Sequence, residues 1–323
     1  MTISGANDGA AGKCLILMIA DEQYILPTLV VAQQIKRTLA SPEAADLLMY
    51  VTVERSDAMD RMVDYARSQG ITVRYWSPME NHETKLEFSS YVSPTTLGRL
   101  LIAEDISAHY SRMLYIDGDV QLLGDIGRMI DFVPPEGRLV AAVDSVAACI
   151  NPQSEHGQEF TAYARALGID DITTYFNAGI LSCRVETWKA IAQEALRYIA
   201  THPERCRFHD QSALNAVMRG KWDPMHPRYN YGPIYQEIGV RFAPRLFHFH
   251  GPDKPWTGTR PFGDALAAPY DTIGAALPFV RPPADNGRVR RLGKPYSPST
   301  VIRNALRRRR LGQYMRRNSF VLE

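Results

Sequence analysis

Nothing in this 323-residue chain approaches the ~18 consecutive apolar residues that cross a bilayer as a helix. The lead from Met1 to Ala11 is polar and Gly/Ala-rich, without the charged and then apolar regions of a signal peptide, so a cytoplasmic location is expected. Cysteine is scarce: Cys14, Cys149, Cys183 and Cys206 are far apart with no C-x-x-C pair, which argues against a zinc site or a disulfide framework. Three of them fall in apolar or strand-like stretches and read as core residues. No internal repeat is present. One stretch lacks acid altogether, since residues 288–317 hold eleven Lys or Arg and no Asp or Glu. With Glu323 the segment 288–323 carries +10, leaving 26 basic and 34 acidic residues, a net −8, on residues 1–287. An acidic globule with such a tail seeks an anionic surface.

A composition of 45% hydrophobic residues supports one large α/β domain or two small ones. Apolar runs at Cys14–Ala20, Leu47–Val53, Ile71–Trp76, Met113–Ile116, Leu139–Val143 and Ile180–Cys183 read as strands. Helical patterns separate them near Leu26–Leu39, Asp57–Ser68 and Thr95–His109, with two more at Glu186–Tyr198 and Gln211–Arg219. This alternation predicts a mostly parallel sheet. After Gly251 seven prolines between Pro252 and Pro283 predict wrapping coil or short helix. Val301, Ile302, Ala305 and Leu306 could share one face of a short helix, although Arg307 to Arg310 occupy all sides. The expected organisation is a flexible lead over 1–12, a catalytic domain over 13–270, and a Pro-rich wrap with a basic membrane-association tail over 271–323.

The strand ending at Ile116 delivers Asp117 and Asp119, which leave an extended backbone on the same side. Gly118 between them lets a metal-bound ligand come close. Ligands of open α/β sheets sit at such carboxyl ends, so the pair suits a divalent cation holding a diphosphate; solvated turn carboxylates capping the next helix are the alternative.

Four further segments accompany it: Ala20-Asp-Glu-Gln-Tyr24, Tyr175-Phe-Asn-Ala-Gly179, His209-Asp-Gln-Ser-Ala-Leu-Asn215 and His248-Phe-His-Gly-Pro-Asp-Lys-Pro-Trp256. With Leu114-Tyr-Ile-Asp-Gly-Asp119 they make the chain, over roughly residues 13–262, resemble the retaining, metal-dependent family 8 glycosyltransferases, especially bacterial lipopolysaccharide glucosyl- and galactosyltransferases. The resemblance implies a Rossmann-like GT-A fold and transfer of glucose or galactose from UDP-glucose or UDP-galactose to a saccharide acceptor, lipid-linked or in lipopolysaccharide core. It also implies Asp117, Asp119 and His248 as metal ligands; adding an imidazole to two carboxylates shifts the preference from Mg2+ toward Mn2+.

By the same resemblance Lys254, with Gly251 giving the loop a tight approach, meets the diphosphate, and Asp21, Gln23 and Tyr24 meet the uridine. Gln23 stands where Asn is usual. Arg99 matches an arginine directed at donor sugar and phosphate, though an exposed helix arginine is the other reading. Asn177 and Asp210 match residues holding sugar hydroxyls, in segments where Ala178 and Gly179 line the donor, and Gln211 matches the residue below the anomeric carbon. Many relatives read Asp-Gln-Asp where this chain has Ser212, which removes a carboxylate and favours same-face transfer over a covalent intermediate. His248 as a core histidine, Lys254 as a surface lysine and Trp256 as packing are the plainer readings.

A sugar-nucleotide hydrolase or nucleotidyltransferase on the same fold competes with transfer. The acidic loop after the first strand, where nucleotidyltransferases carry a Gly-rich basic one, argues against the latter. A nucleic-acid-binding role for the tail ranks below association with an anionic membrane, because the globule is acidic and aromatics in the tail are few.

Overall fold

The computed structural model describes residues 12–41, 43–77, 97–280 and 297–323. The N-terminal lead, Thr95 at the start of one expected helix, and Arg288, Arg290, Arg291 and Lys294 of the basic segment lie outside the described residues.

Seven strands form one sheet in the order β3-β2-β1-β4-β7-β6-β8, with β1 at Cys14–Ala20, β2 at Ala45–Val51, β3 at Thr72–Tyr75, β4 at Arg112–Ile116, β6 at Leu139–Val143, β7 at Phe176–Arg184 and β8 at Trp222–Pro224. All seven residues of β1 are buried. Because side chains alternate across a strand, Ile16 and Met18 enter one core with the helix Ile25–Thr38, while Leu15 and Leu17 enter another with the helix Val185–Thr201. Helices on both faces thus account for strands without polar alternation.

The sheet is mostly parallel, as expected, with one exception that decides the site. β7 is longer than the Ile180–Cys183 run and pairs antiparallel with both β4 and β6. Its first residues therefore lie beside the last of β4, in the register Ile116↔Ile180, and the Asp117 amide donates to the Gly179 carbonyl at 2.8 Å. A parallel β7 would have left Asn177 to Gly179 at the opposite edge. A two-stranded ribbon of β5 (Val120–Leu122) and β9 (Leu246–His248) pairs Val120 with His248, and the Phe249 amide donates to the Asp119 carbonyl at 2.9 Å.

The expected helix over Thr95–His109 is broken: a turn at Gly98–Leu101 passes into a tighter 3-10 turn at Ile102–Asp105. The division at residue 270 falls inside the helix Asp264–Ala276, whose Tyr270 and Ile273 join the first core. In place of coil or a short helix, Pro298–Arg317 forms a 20-residue helix capped by Ser297, whose hydroxyl accepts from the Thr300 amide. It docks through Asn304, Leu311 and Tyr314, while Val301, Ile302 and Leu306, of the expected apolar face, are exposed. The docked side escaped the periodicity because it carries arginines of its own: Arg307 pairs with Glu237 and Arg310 donates to Asn151. The chain end then lies against β8, where Val321 donates to the Pro224 carbonyl and His226 to the Leu322 carbonyl.

Candidate active site

Asp117 and Asp119 follow β4, and His248 ends β9. One ligand atom from each lies within 4.8 Å of the others, with His248 Nε2 3.2 Å from Asp119 Oδ1 and 3.8 Å from Asp117 Oδ2. Two hard oxygens and one imidazole nitrogen converging in a mostly buried place fit a divalent transition ion. Gly179 makes the convergence possible, because a Cβ there would stand 2.2 Å from His248 Cε1 and 2.8 Å from Asp117 Oδ2. Gly118 also serves packing: a Cβ would collide with Thr28 Oγ1 at 2.2 Å, so the helix Ile25–Thr38 packs against the turn itself.

Lys254 is mostly buried here, neither exposed nor remote. Its ammonium donates to Asp119 Oδ2 at 2.6 Å and to the Phe249 carbonyl at 2.7 Å, and lies 5.8 and 5.7 Å from the Tyr24 and Trp256 rings. Burial alone would push the Asp119 carboxyl up, but the Lys254 charge beside it outweighs burial and holds that carboxyl well below the usual range. Burial likewise opposes the charge on Lys254, and Asp119 overcomes it and raises the ammonium. Gly251, three residues earlier, has φ +103°, a backbone that favours glycine.

Arg99 is an interior residue. Its Nε lies 2.6 Å from Asp210 Oδ2 and its Nη1 3.4 Å from Asp117 Oδ1, while it also donates to the Ala178 carbonyl and stacks 4.4 Å over Tyr115. Burial raises the Asp210 carboxyl despite that arginine. Gln211 is clamped through both ends of its amide: Oε1 accepts from the Ala178 amide at 2.9 Å and Nε2 donates to the Tyr175 hydroxyl at 3.3 Å. Asn177 is buried, with Oδ1 accepting from the Gly179 amide. Ser212, in contrast, turns away, bonding the Tyr163 hydroxyl at 2.7 Å and the Phe208 amide at 2.8 Å. On the other side Asp21 caps the turn after β1 by accepting from the Gln23 and Tyr24 amides, the Gln23 side chain is exposed, and Tyr24 meets Trp256 edge-on at 6.3 Å.

Two residues of this cluster escaped the sequence reading. Asp144 closes β6 as the cap of Ser145–Cys149 and receives the Asn177 Nδ2 at 3.4 Å; a strand running into Asp-Ser was its signal. Asn230, in the 3-10 turn Pro227–Asn230, meets both Asn177 and His248, and nothing in its neighbourhood's pattern marked it. His250 also lies inside, bonded to Ser145 at 3.0 Å; burial lowers its ring to about 4, so it is neutral.

A doubly covered, mostly parallel sheet with an acid pair and an imidazole at its strand ends is the arrangement expected of a GT-A fold. The model of glycosyl transferase family 8 matches residues 15–260, and the chain belongs to that family. It is 27% identical over 223 residues to General stress protein A of Bacillus subtilis, covering 62% of this chain and 73% of that protein. It is 23% identical over 171 residues to the lipopolysaccharide 1,2-glucosyltransferase of Escherichia coli, covering 49% of this chain and 48% of the relative, about half its length. Among solved structures, the galactosyltransferase LgtC in complex with donor and acceptor sugar analogues superposes with a TM-score of 0.62 at 20% identity, over 81% of this chain and 95% of LgtC, a likeness of fold.

Proposed function

We propose that the protein moves glucose or galactose from a UDP-sugar to a saccharide acceptor with retention at the anomeric carbon, in assembly of lipopolysaccharide or another cell-surface glycan. One observation carries this reading: Asp117, Asp119, His248 and Lys254 converge beside the clamped Gln211 and the Arg99–Asp210 pair. Asp117, Asp119 and His248 would hold Mn2+, or Mg2+, which as a Lewis acid supplies stabilisation of the leaving diphosphate. Lys254 adds an ammonium within the same cluster, where a developing anion is worth most in low dielectric. Asp210, Asn177 and Asp144 offer acceptors for sugar hydroxyls. Gln211 keeps a second carbonyl lone pair free, a dipole suited to a developing oxocarbenium ion but a poor nucleophile. With Ser212 facing Tyr163, no second carboxylate is supplied from that position, which supports same-face transfer. Tyr24, Asp21 and Gln23 would receive uridine.

The test is a screen of UDP-sugars for manganese-dependent turnover, with the anomer of the product read by NMR. A product of retained configuration from UDP-glucose or UDP-galactose supports the proposal; release of free sugar to water alone, or inversion, overturns it.

A site on the anionic inner face of the membrane belongs to the same proposal. No described helix is long and apolar enough to cross a membrane. Exposed Val301, Ile302 and Leu306 stand among exposed Arg303, Arg308 and Arg309 on one helix, a combination suited to lying on an anionic interface.

A further inference from the structure

The polarity of a buried hydrogen-bond chain beside the ligand set is dictated by one backbone group. The Gly179 amide, which is only a donor, points at Asn177 Oδ1 at 3.0 Å, so the Asn177 atom there is its carbonyl oxygen. Asn230 approaches that same oxygen at 2.8 Å and must present its NH2. Its other end, 2.9 Å from His248 Nδ1, is then the carbonyl oxygen, and Nδ1 carries the proton. In the neutral ring the lone pair of His248 is then on Nε2, the atom facing Asp119 and Asp117. Asn230 is 3% exposed and both ends of its amide are used. The backbone around it is pinned, Tyr231 donating to Leu246 and His248 donating to Tyr231, so the amide has little room to turn.

We infer that Asn230 is a positioning residue that fixes His248 as the Nδ1-protonated tautomer and ties it to Asn177, so that the metal ligand and the sugar-reading amide are set by one side chain. This rests on the metal and donor roles proposed above. A partner of this kind, accepting the second ring N–H of a ligating histidine, typically contributes about 10- to 100-fold in metal affinity.

Two substitutions separate the halves of the role. Asn230→Leu removes both contacts and should weaken Mn2+ binding by about 10- to 100-fold in calorimetry. Asn230→Asp still accepts from Nδ1, with a charged oxygen, but turns a second oxygen toward Asn177 Oδ1 with no proton between them. It should keep Mn2+ affinity while losing the difference in affinity between UDP-hexose and UDP. A residue that merely stabilised the fold would lower the melting temperature in both variants without splitting these two readouts. Mn2+ affinity unchanged in Asn230→Leu, or lost equally in Asn230→Asp, overturns the inference. Nitrogen-15 NMR of the imidazoles at alkaline pH tests it without metal: wild type and Asn230→Asp should show His248 protonated on Nδ1, and Asn230→Leu should not. An Nε2-protonated His248 in wild type overturns it. If no variant and no wild type bound Mn2+, the metal assignment itself would fall while the NMR result still decided the role of Asn230; should Asn230→Leu not fold, Asn230→Asp and the wild-type tautomer decide it.

Discussion

In the pocket, Lys254 and Arg99 expose 12% and 11% of their side chains and each meets a carboxylate at 2.6 Å. In the helix Pro298–Arg317, Arg303, Arg308, Arg309, Arg316 and Arg317 are exposed and form no ion pair with the described residues. The same charge does different things in the two places. Buried and paired, it is fixed in direction and strongly coupled to its partner, so a single substitution is severe. Exposed and unpaired, it contributes to a diffuse field in which each cation counts for little alone and salt screens the sum.

The sharpest way to break the contrast is at the acid pair. Asp117→Asn or Asp119→Asn should lower Mn2+ affinity beyond the roughly 100-fold ceiling for partners that only orient a ligand, measured by calorimetry with UDP present. The asparagine variants are preferable to alanine because Asp119→Ala would also strand the Lys254 ammonium. Wild-type affinity in either variant would mean that the pair holds no metal.

Lys254→Met should lower turnover by about 10²-fold, the scale of one preorganised donor to a developing anion. It should also raise the affinity for Mn2+ alone, because the ammonium now neutralising Asp119 opposes a second cation there. A loss confined to KM would mean uniform binding of the diphosphate instead.

Removing all of 288–323 would not isolate the exposed charges, since Leu311, Tyr314 and Leu322 are buried and the chain end bonds to β8 and its neighbours. Replacing Arg303, Arg308 and Arg309 by Ser leaves those contacts alone. At roughly 1 kcal/mol per cation near an anionic surface, the triple variant should bind phosphatidylglycerol liposomes about 100-fold more weakly. Transfer to a soluble acceptor fragment should not change, and high salt should weaken wild-type binding. Liposome binding that ignored both changes would place the membrane contact elsewhere.

What the sequence disclosed and what it hid divides along the same line. Continuous apolar strands and the motifs at their ends are local patterns, so the fold class and the clustering of Asp117, Asp119, His248 and Lys254 were legible. The direction of β7 was not, because a doubly buried strand reads the same whichever way it runs. Asn230 was hidden since its meaning comes from Asn177 and His248, 53 and 18 residues away. The docking side of the last helix was hidden because arginines there reach Glu237 and Asn151, which sequence spacing cannot show.

Acid should loosen the C-terminal contact. His226 packs on Phe320 at 5.2 Å, and burial together with Arg228 lowers its ring from 6.5 to about 4. An unfolded chain binds that proton below pH 6.5 and the folded one does not until about 4, so stability present above 6.5 is lost as pH falls through this window. His226→Gln should flatten the decline of melting temperature over that range, and an equal slope in both proteins would exclude His226 as its source.

Ser212→Ala supplies the smallest effect, an uncharged change one residue from Gln211 on a side chain that turns away from the ion pairs. The hydroxyl is fully buried and serves the Tyr163 hydroxyl and the Phe208 amide, so its loss removes two half-buried hydrogen bonds and should cost about 1 kcal/mol in chemical denaturation. Turnover should be nearly unchanged, because the Ala178 amide still holds Gln211 Oε1 and Tyr175 still receives Nε2. Tyr163 also touches the Tyr175 hydroxyl at 3.2 Å, which gives the alternative a route. A large fall in turnover without a matching fall in stability would show that the orientation of Gln211 is set through Tyr163 and Tyr175, and that neutral hydrogen bonds in this pocket are as consequential as its charges.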